Sequence, residues 1–396
     1  MTIMLSSSST LALNAGSSSI RFALYQGDPF ARVCSGKIDR IGMEGSVFLF
    51  AEEGSAAEAP LLVDAPDHTA AVAVLFQALE ARFDLSQLVA VGHRVVHGVA
   101  HDAHVRVTDE VLAGLRDSVS FAPEHLPQEI ALMEAFRERY PTVPQVACFD
   151  TVFHHTLPPS AYTLPIPSRF SAKGFRRYGF HGLSYEYLAE QLRALPGDPS
   201  QGRVILAHLG NGASMAALRG GKSVDTSMGF TPLGGLPMGT RTGDLDPGVV
   251  LAIMQAEGFS PQEMSRVLNH ESGLLGISET SPHMLDLLER EGEDPRAHLA
   301  IDVFCAEAKK QIGAYAAVLG GLDTLVFSGG MGEQSAPIRA RICDGLGFLG
   351  VTIDEHANNM HASVISLPDS TVTVRVIPTN EELMIAKTAR RFSDIL

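Results

Sequence analysis

The feature that most constrains this chain is a device it uses twice. Residues 11–24 read LALNAGSSSIRFAL and residues 204–218 read VILAHLGNGASMAAL. In each, an apolar run suited to a buried strand stops at a short polar turn containing glycine, and a second apolar run returns. One such unit is an ordinary hairpin. Two, one near the start of each half, predict a duplicated α/β domain, and 396 residues suffice for two cores.

The turns point to anions. Gly16 lets the backbone approach a ligand, successive amides form a concavity for negative charge, Ser17, Ser18 and Ser19 offer hydroxyls, and Arg21 adds fixed positive charge. For this turn alone, a serine-rich hairpin without a ligand is the alternative. His208, Leu209, Gly210, Asn211 and Gly212 repeat the device. A third glycine turn, SGGMGEQ (328–334), follows an apolar run and precedes a helix expected to reach about 345. It does not complete GxGxxG, because Ser335 stands at the last glycine. Nor is there a Walker A loop: Gly221-Lys222-Ser223 has Ala216 where the first glycine belongs. A GxSxG elbow is also missing. Phosphates held mainly by hairpin backbones are the leading reading.

The net charge of −15 argues against a nucleic-acid or anionic-membrane surface, so positive charge must be local. Arg94 ends an apolar strand in GHRVVHG (92–98), where a guanidinium can clamp a carboxylate or phosphate; a surface ion pair is the alternative. Arg241 lies in 225–247, a stretch rich in glycine, threonine and proline and too irregular for a core element. His181 occupies a turn in RRYGFHG (176–182), and His125 falls near a helix start after FAPEHLP (121–127). Asp150 follows the strand at 145–149, a place for ligand chemistry in α/β sheets or for a helix cap. His93 and His97 are four apart, but HExxH needs Glu where Arg94 stands, so zinc is not expected.

Helices are expected at 68–83, up to 140 after the FAPEHLP turn, and at 183–195, 247–257, 261–269, 284–291 and 296–319, with a last one opened by PTNEE (378–382). Residues 52–65 read as a surface loop, and the prolines of HHTLPPSAYTLPIPSRF (154–170) mark a domain boundary. Cys34, Cys148, Cys305 and Cys343 are widely spaced and read as reduced, buried thiols of a cytoplasmic protein. No apolar run is long enough to span a membrane. MTIMLSSSST lacks a basic n-region and reads as a short extension, not a secretion signal.

Together, NAGSSSIRF, GHRVVHG, VACFDTVFH, RRYGFHGLSYEYL, HLGNGAS, DTSMGFTPL, MGTRTGDLDP, SGGMGEQS, RARICDGL and VIPTNEELMIA resemble the acetate kinase (acetokinase) family, of the sugar kinase, Hsp70 and actin superfamily, over nearly the whole length. The resemblance implies two duplicated ribonuclease H-like (actin-like ATPase) α/β domains flanking a cleft, 1–150 plus 381–396 and 151–380, the second carrying the nucleotide site and dimer interface. It implies a cytoplasmic homodimer that moves a phosphoryl group reversibly between ATP and acetate with Mg²⁺ or Mn²⁺, with no nucleic-acid or membrane partner. Asn14 and Glu381, with Glu382 as rival, would hold the metal. Arg94 and Arg241 would bind carboxylate and phosphoryl, with His181 and His125 assisting. Asp150 would be an acid or base, or position an arginine, since a carboxylate nucleophile has no proton to lose. Arg21 and residues 208–212 would meet donor phosphates, and Gly330, Met331, Gly332, Glu333 and Gln334 the nucleotide.

Departures from the family pattern bear on specificity. His283-Met284-Leu285 replaces an Asp-x-Arg triplet at the adenosine, which raises pyrophosphate as an alternative donor. Glu124 stands where an apolar residue borders the methyl pocket, and Gly234 and Pro237 replace Glu and Met near Arg241, which raises propionate or another short acid. A non-catalytic actin-like nucleotide switch and a degraded kinase are the competing readings.

Overall fold

Thr10–Ala15 (β1) is buried along its whole length and pairs antiparallel with Ser19–Gln26 (β2). The turn closes through the Gly16 N–H, which donates to the Ser19 carbonyl at 2.7 Å, and places Asn14 opposite Arg21. This computed structural model describes residues 9–55 and 58–393. The reading of the first residues as an extension therefore falls largely outside the described residues.

The chain divides into two units, Met1–Val152 with Asn380–Leu396, and Phe153–Thr379. In the first, the hairpin continues as a meander through Ala31–Asp39 (β3), Val47–Glu52 (β4) and Leu61–Leu62 (β5). On the other side of β1 lies Ala90–Val95 (β6), parallel to it, followed along the chain by Val105–Arg106 (β7) and Gln145–Phe149 (β8). The sheet order is β5-β4-β3-β2-β1-β6-β8-β7. Phe22, Phe48 and Phe50 stack within one core cluster with Leu75, Phe76 and Leu79 of the helix His68–Glu80.

The last helix, Glu381–Ser393, packs on β1, β6 and β8. Its approach depends on Gly92, where a Cβ would come within 2.5 Å of Ile385 Cγ2 and 2.8 Å of its carbonyl. This close packing brings the end of the chain back to the first hairpin.

The second unit holds Arg203–Leu209 (β9), Ala213–Arg219 (β10), Lys222–Thr226 (β11), Thr324–Ser328 (β12) and Thr373–Val376 (β13), in the order β11-β10-β9-β12-β13. β9, β10 and β11 run antiparallel, and β12 and β13 run parallel to β9. The arrangement matches β3-β2-β1-β6-β8, whose last two strands also run parallel to β1. The duplication read from two hairpins thus extends over five strands. Behind the sheet runs the helix Pro295–Leu319, which buries Ile301, Phe304, Ala308, Ile312, Tyr315 and Leu319 at helical spacing. It is capped by the Asp294 side chain and ends at Gly320 with φ 71°.

Two local expectations need correction, and one helix is unexpected. SGGMGEQ is not an open turn before a helix: Gly329–Gln334 is itself helical, followed by the helix Ala336–Cys343. The stretch 52–65 is not only loop, because β5 lies in it. The helix Asp109–Asp117 has no forecast in the pattern, since only Leu112 and Leu115 are buried and the other positions are mostly polar. Residues 227–246 run as turns and bends, as their composition requires. Among the described residues no helix is long and apolar enough to cross a membrane.

Candidate functional site

In the first unit the chemistry gathers at the carboxyl ends of β1, β6 and β8. Arg94, near the end of β6, donates from Nε to both oxygens of Asp150 at 3.1 Å and from Nη2 to Oδ2 at 2.6 Å. Its Nη1 donates to Asn14 Oδ1 at 3.1 Å, and the Asn14 amide donates to Glu381 Oε2 at 3.3 Å. Asp150 is 1% exposed, so this is a buried, forked ion pair whose geometry is fixed from both sides. The guanidinium is held well above its ordinary pKa because the charges of Asp150 and Glu381 outweigh its burial.

Glu382 is pushed above the usual carboxylate range by burial and then by Glu381 beside it. It borders a hollow that also includes Arg21, Tyr25, Arg32, Lys37 and Asn380. Arg21 is exposed and borders this hollow. Asn380 accepts from Tyr25 Oη at 3.1 Å and from the Leu383 N–H at 3.0 Å, which caps the start of the last helix.

His125 is the N-cap residue of the helix Leu126–Arg139, and Glu124 is exposed, so the latter bears no burial cost here. His93 is buried edge-on to Phe136 and driven down to about 3 by loss of solvent. His97 accepts from the Val99 N–H at 2.9 Å and packs on Phe121. Among the described residues no group of three or more His, Cys, Asp or Glu side chains could hold a metal.

In the second unit the site is built on histidines and glycines. His181, with φ 58°, is the N-cap of Gly182–Ala194, and its ring stacks on His208 with centroids 4.4 Å apart. His181 Nδ1 is 2.8 Å from Ser214 Oγ, which in turn bonds Tyr185 Oη; His208 Nδ1 is 2.8 Å from Ser184 Oγ, which bonds Thr379 Oγ1 at 2.8 Å. Gly212 faces His181: a Cβ there would lie 3.2 Å from Nε2 and 3.6 Å from Arg241 Nη2. Arg241 Nη1 donates to the Pro232 carbonyl at 2.8 Å. His181, His208, Gly212 and Arg241 therefore converge, although 60 residues of sequence separate His181 from Arg241.

The third glycine turn docks beside them. Gly329, at φ 73°, lies so close to Leu209 that a Cβ would come within 2.8 Å of its carbonyl. Leu209 and Gly332 are buried, and the Glu333 carboxylate faces the protein: Oε1 accepts from the Gly329 N–H at 2.9 Å and the Thr379 N–H at 3.0 Å. Fully buried Arg339 binds the carbonyls of Gly332 and Glu333, each at 2.9 Å, and the Asn358 side chain. Gly210, Asn211, Gly330, Met331 and Gln334 instead border a cavity of about 300 Å³, together with Gly239, Leu274, Pro282, His283, Met284, Leu285, Leu288 and Ser335. Its lining is mostly apolar with a few polar groups, the character of a small-molecule site.

Some of these residues escape the sequence reading. Ser214, Tyr185, Ser184 and Thr379 sit inside the recognised motifs but are marked only by the histidines they orient. Glu129 is a carboxylate on the buried face of Leu126–Arg139, with Leu126, Ile130 and Met133. That helical spacing is its only signal.

The two sheets of common topology, each with a polar turn after its first strand, define a duplicated α/β protein of the actin-like ATPase fold. Within that class the chain belongs to the acetokinase family, whose family model matches residues 9–387. It is 46% identical over 392 residues to an acetate kinase of Rhodopseudomonas palustris, covering 97% of this chain and 98% of that one. It is 43% identical over 397 residues to an acetate kinase of Bacillus cytotoxicus, covering 98% and 100%. Among solved structures, Porphyromonas gingivalis acetate kinase matches with a TM-score of 0.87 at 37% identity, and a propionate kinase from Francisella tularensis with 0.90 at 36%; each match covers 97% of this chain and 99% of the other.

Proposed function

We propose that this protein transfers a phosphoryl group reversibly between ATP and acetate, giving acetyl phosphate and ADP. The observation that carries this reading is the locked Arg94–Asp150 pair, in a chain whose relatives are named acetate kinases. An acetate oxygen is already ionised. It attacks the γ-phosphorus, the new O–P bond forms as the bond to the β-phosphate oxygen breaks, and the electron pair leaves with ADP. No proton changes hands, so the reaction requires in-line positioning and fixed positive charge, not a base.

Arg94 supplies that charge on the acceptor side, and Asp150 positions its guanidinium. Arg241 and His181 stabilise the transferring phosphoryl, with His125 assisting, and Arg21 and residues 208–212 hold donor phosphates. The nucleoside occupies the cavity beside Gly330 and His283-Met284-Leu285. Glu333 supports its turn without touching it. A nucleotide switch would have no use for the Arg94 clamp.

Asn14 and Glu381 suit a hard cation. The Glu381 carboxylate and, with its carboxamide turned from the Arg94 contact, the Asn14 oxygen would be two hard ligands for Mg²⁺, and neighbouring Glu382 adds negative charge that burial makes costly. When bound, Mg²⁺ neutralises donor phosphates. The protein works as a cytoplasmic homodimer; the apolar helix Pro247–Glu257, which has no buried residue, supports association, and four buried free cysteines suit a reducing compartment. Propionate is a second acceptor to test, favoured by the Francisella tularensis match.

The test is acyl phosphate formation trapped as the hydroxamate, across ATP, GTP and pyrophosphate with acetate and propionate. Product from ATP and acetate is expected. The absence of product in every combination rejects the kinase reading.

A further inference from the structure

Glu129 is a buried acid that no step of the phosphoryl transfer above uses. It is 1% exposed, and both carboxylate oxygens share a single donor, the Val96 N–H, at 3.2 Å each. Val96 lies two residues beyond Arg94. No other hydrogen bond and no ion pair is found at this carboxylate among the described residues. One amide is poor compensation for a buried carboxylate, so burial drives the group up to about 8, with Asp150 adding to the rise and Arg94 opposing it.

Charges on the other helices packed on this one are exposed or already paired. Glu80 of His68–Glu80 pairs with Arg139, while Asp109 and Arg116 of Asp109–Asp117 pair with Arg137 and Glu134. From the sheet, Arg94 and Asp150 are the charged groups that Glu129 senses, and buried His93 is uncharged near neutral pH.

We propose that Glu129 is a proton-dependent positioning residue for Arg94: when neutral, it leaves the guanidinium's charge to the anionic acceptor, and when ionised, it competes for that charge. The idea rests on Arg94 being the acceptor clamp. Binding of an anion then favours the protonated acid, and protonation favours anion binding by the same factor.

The KM for acetate is expected to rise about fivefold between pH 7 and 9.5 while kcat changes little, equivalent to a midpoint shift of about 0.7 pH unit on acetate binding. E129Q, which mimics the neutral acid, should keep the low KM across the range. A merely structural Glu129 would change stability or kcat without flattening the pH dependence of KM.

Infrared difference spectroscopy of the nucleotide-free protein reads the proton directly. Between pH 6.5 and 9.5 the wild type should lose a protonated-carboxyl band that E129Q never shows. Added acetate should move the midpoint of that loss to higher pH, a result that needs neither turnover nor the variant. A missing band, a midpoint insensitive to acetate, or an E129Q enzyme with the wild-type KM profile overturns the proposal. If no acyl phosphate forms but the acetate-sensitive band is present, the kinase reading fails and the coupling between Glu129 and the anion stands.

Discussion

Around β1 the polar groups are ionic: Arg94, Asp150 and Glu381 set their geometry by charge, with Asn14 as the bridge. Around β9, at the equivalent place in a sheet of the same order, Arg241 stands beside chains of side-chain hydrogen bonds. His181–Ser214–Tyr185 and His208–Ser184–Thr379 stand beside Gly210 and Gly212, where a Cβ would be crowded at 3.3 and 3.2 Å. One topology thus supports two ways of fixing polar side chains. Ion pairs hold the first cluster, whereas side-chain hydrogen bonds and close glycine packing orient the imidazoles of the second beside Arg241.

The largest test of this contrast removes the cations. Arg94→Ala and Arg241→Ala should each lower kcat by about 10³-fold, and Asp150→Asn by about 10²-fold. Asp150→Asn should add little to Arg94→Ala if Asp150 acts through Arg94. Full additivity in steady-state kinetics would separate the two residues.

Next in size is the scaffold of the second unit. Arg339→Met should destabilise by about 3–5 kcal/mol in urea unfolding, because it leaves the Gly332, Glu333 and Asn358 carbonyls without their buried donor.

The two turn glycines sharpen the comparison further. Gly212→Ala places a methyl 3.2 Å from His181 Nε2 and should cut kcat about tenfold, whereas Gly16→Ala meets only Ser19 at 3.5 Å and should fold with wild-type stability. Equal losses of stability would mean that both turns are packed alike.

The smallest effect is a difference in acid response. Burial holds His93 near 3 and His154 near 4, so below their ordinary 6.5 the unfolded chain takes up protons that the folded one refuses, and stability falls with falling pH. Glu129 acts in the opposite sense, destabilising as pH rises from 4.5 towards 8. In the first unit the two trends oppose each other between pH 4.5 and 6.5. In the second, His154 lowers stability as pH falls through the same range. Amide exchange corrected for intrinsic rate should show β9 and β12 losing protection at pH 5 before β1 and β6, by about 1 kcal/mol per pH unit.

Much of this was legible beforehand because it is local. Apolar runs broken by glycine turns gave both hairpins, helical spacing gave the helix Pro295–Leu319, and Asp150 stood where an α/β strand ends. Glu333 is placed at the nucleotide by the resemblance, and its carboxylate reaches back to the Thr379 amide, 46 residues on, a contact that no local pattern announces. Glu129 went unnoticed because one acid within a helical pattern reads as solvent-facing until its face is known to be inside.

By itself the sequence determined the periodicities, the duplicated turn and the identity of the cations, since these depend on residues within a few positions of each other. Only the tertiary structure decided which charges meet. Asn14 reaches Glu381 because Gly92 admits the last helix against β6. Arg94 finds Asp150 because β6 and β8 are parallel neighbours. Electrostatic energy depends on distance and burial, and neither is fixed until strands far apart in the chain lie side by side.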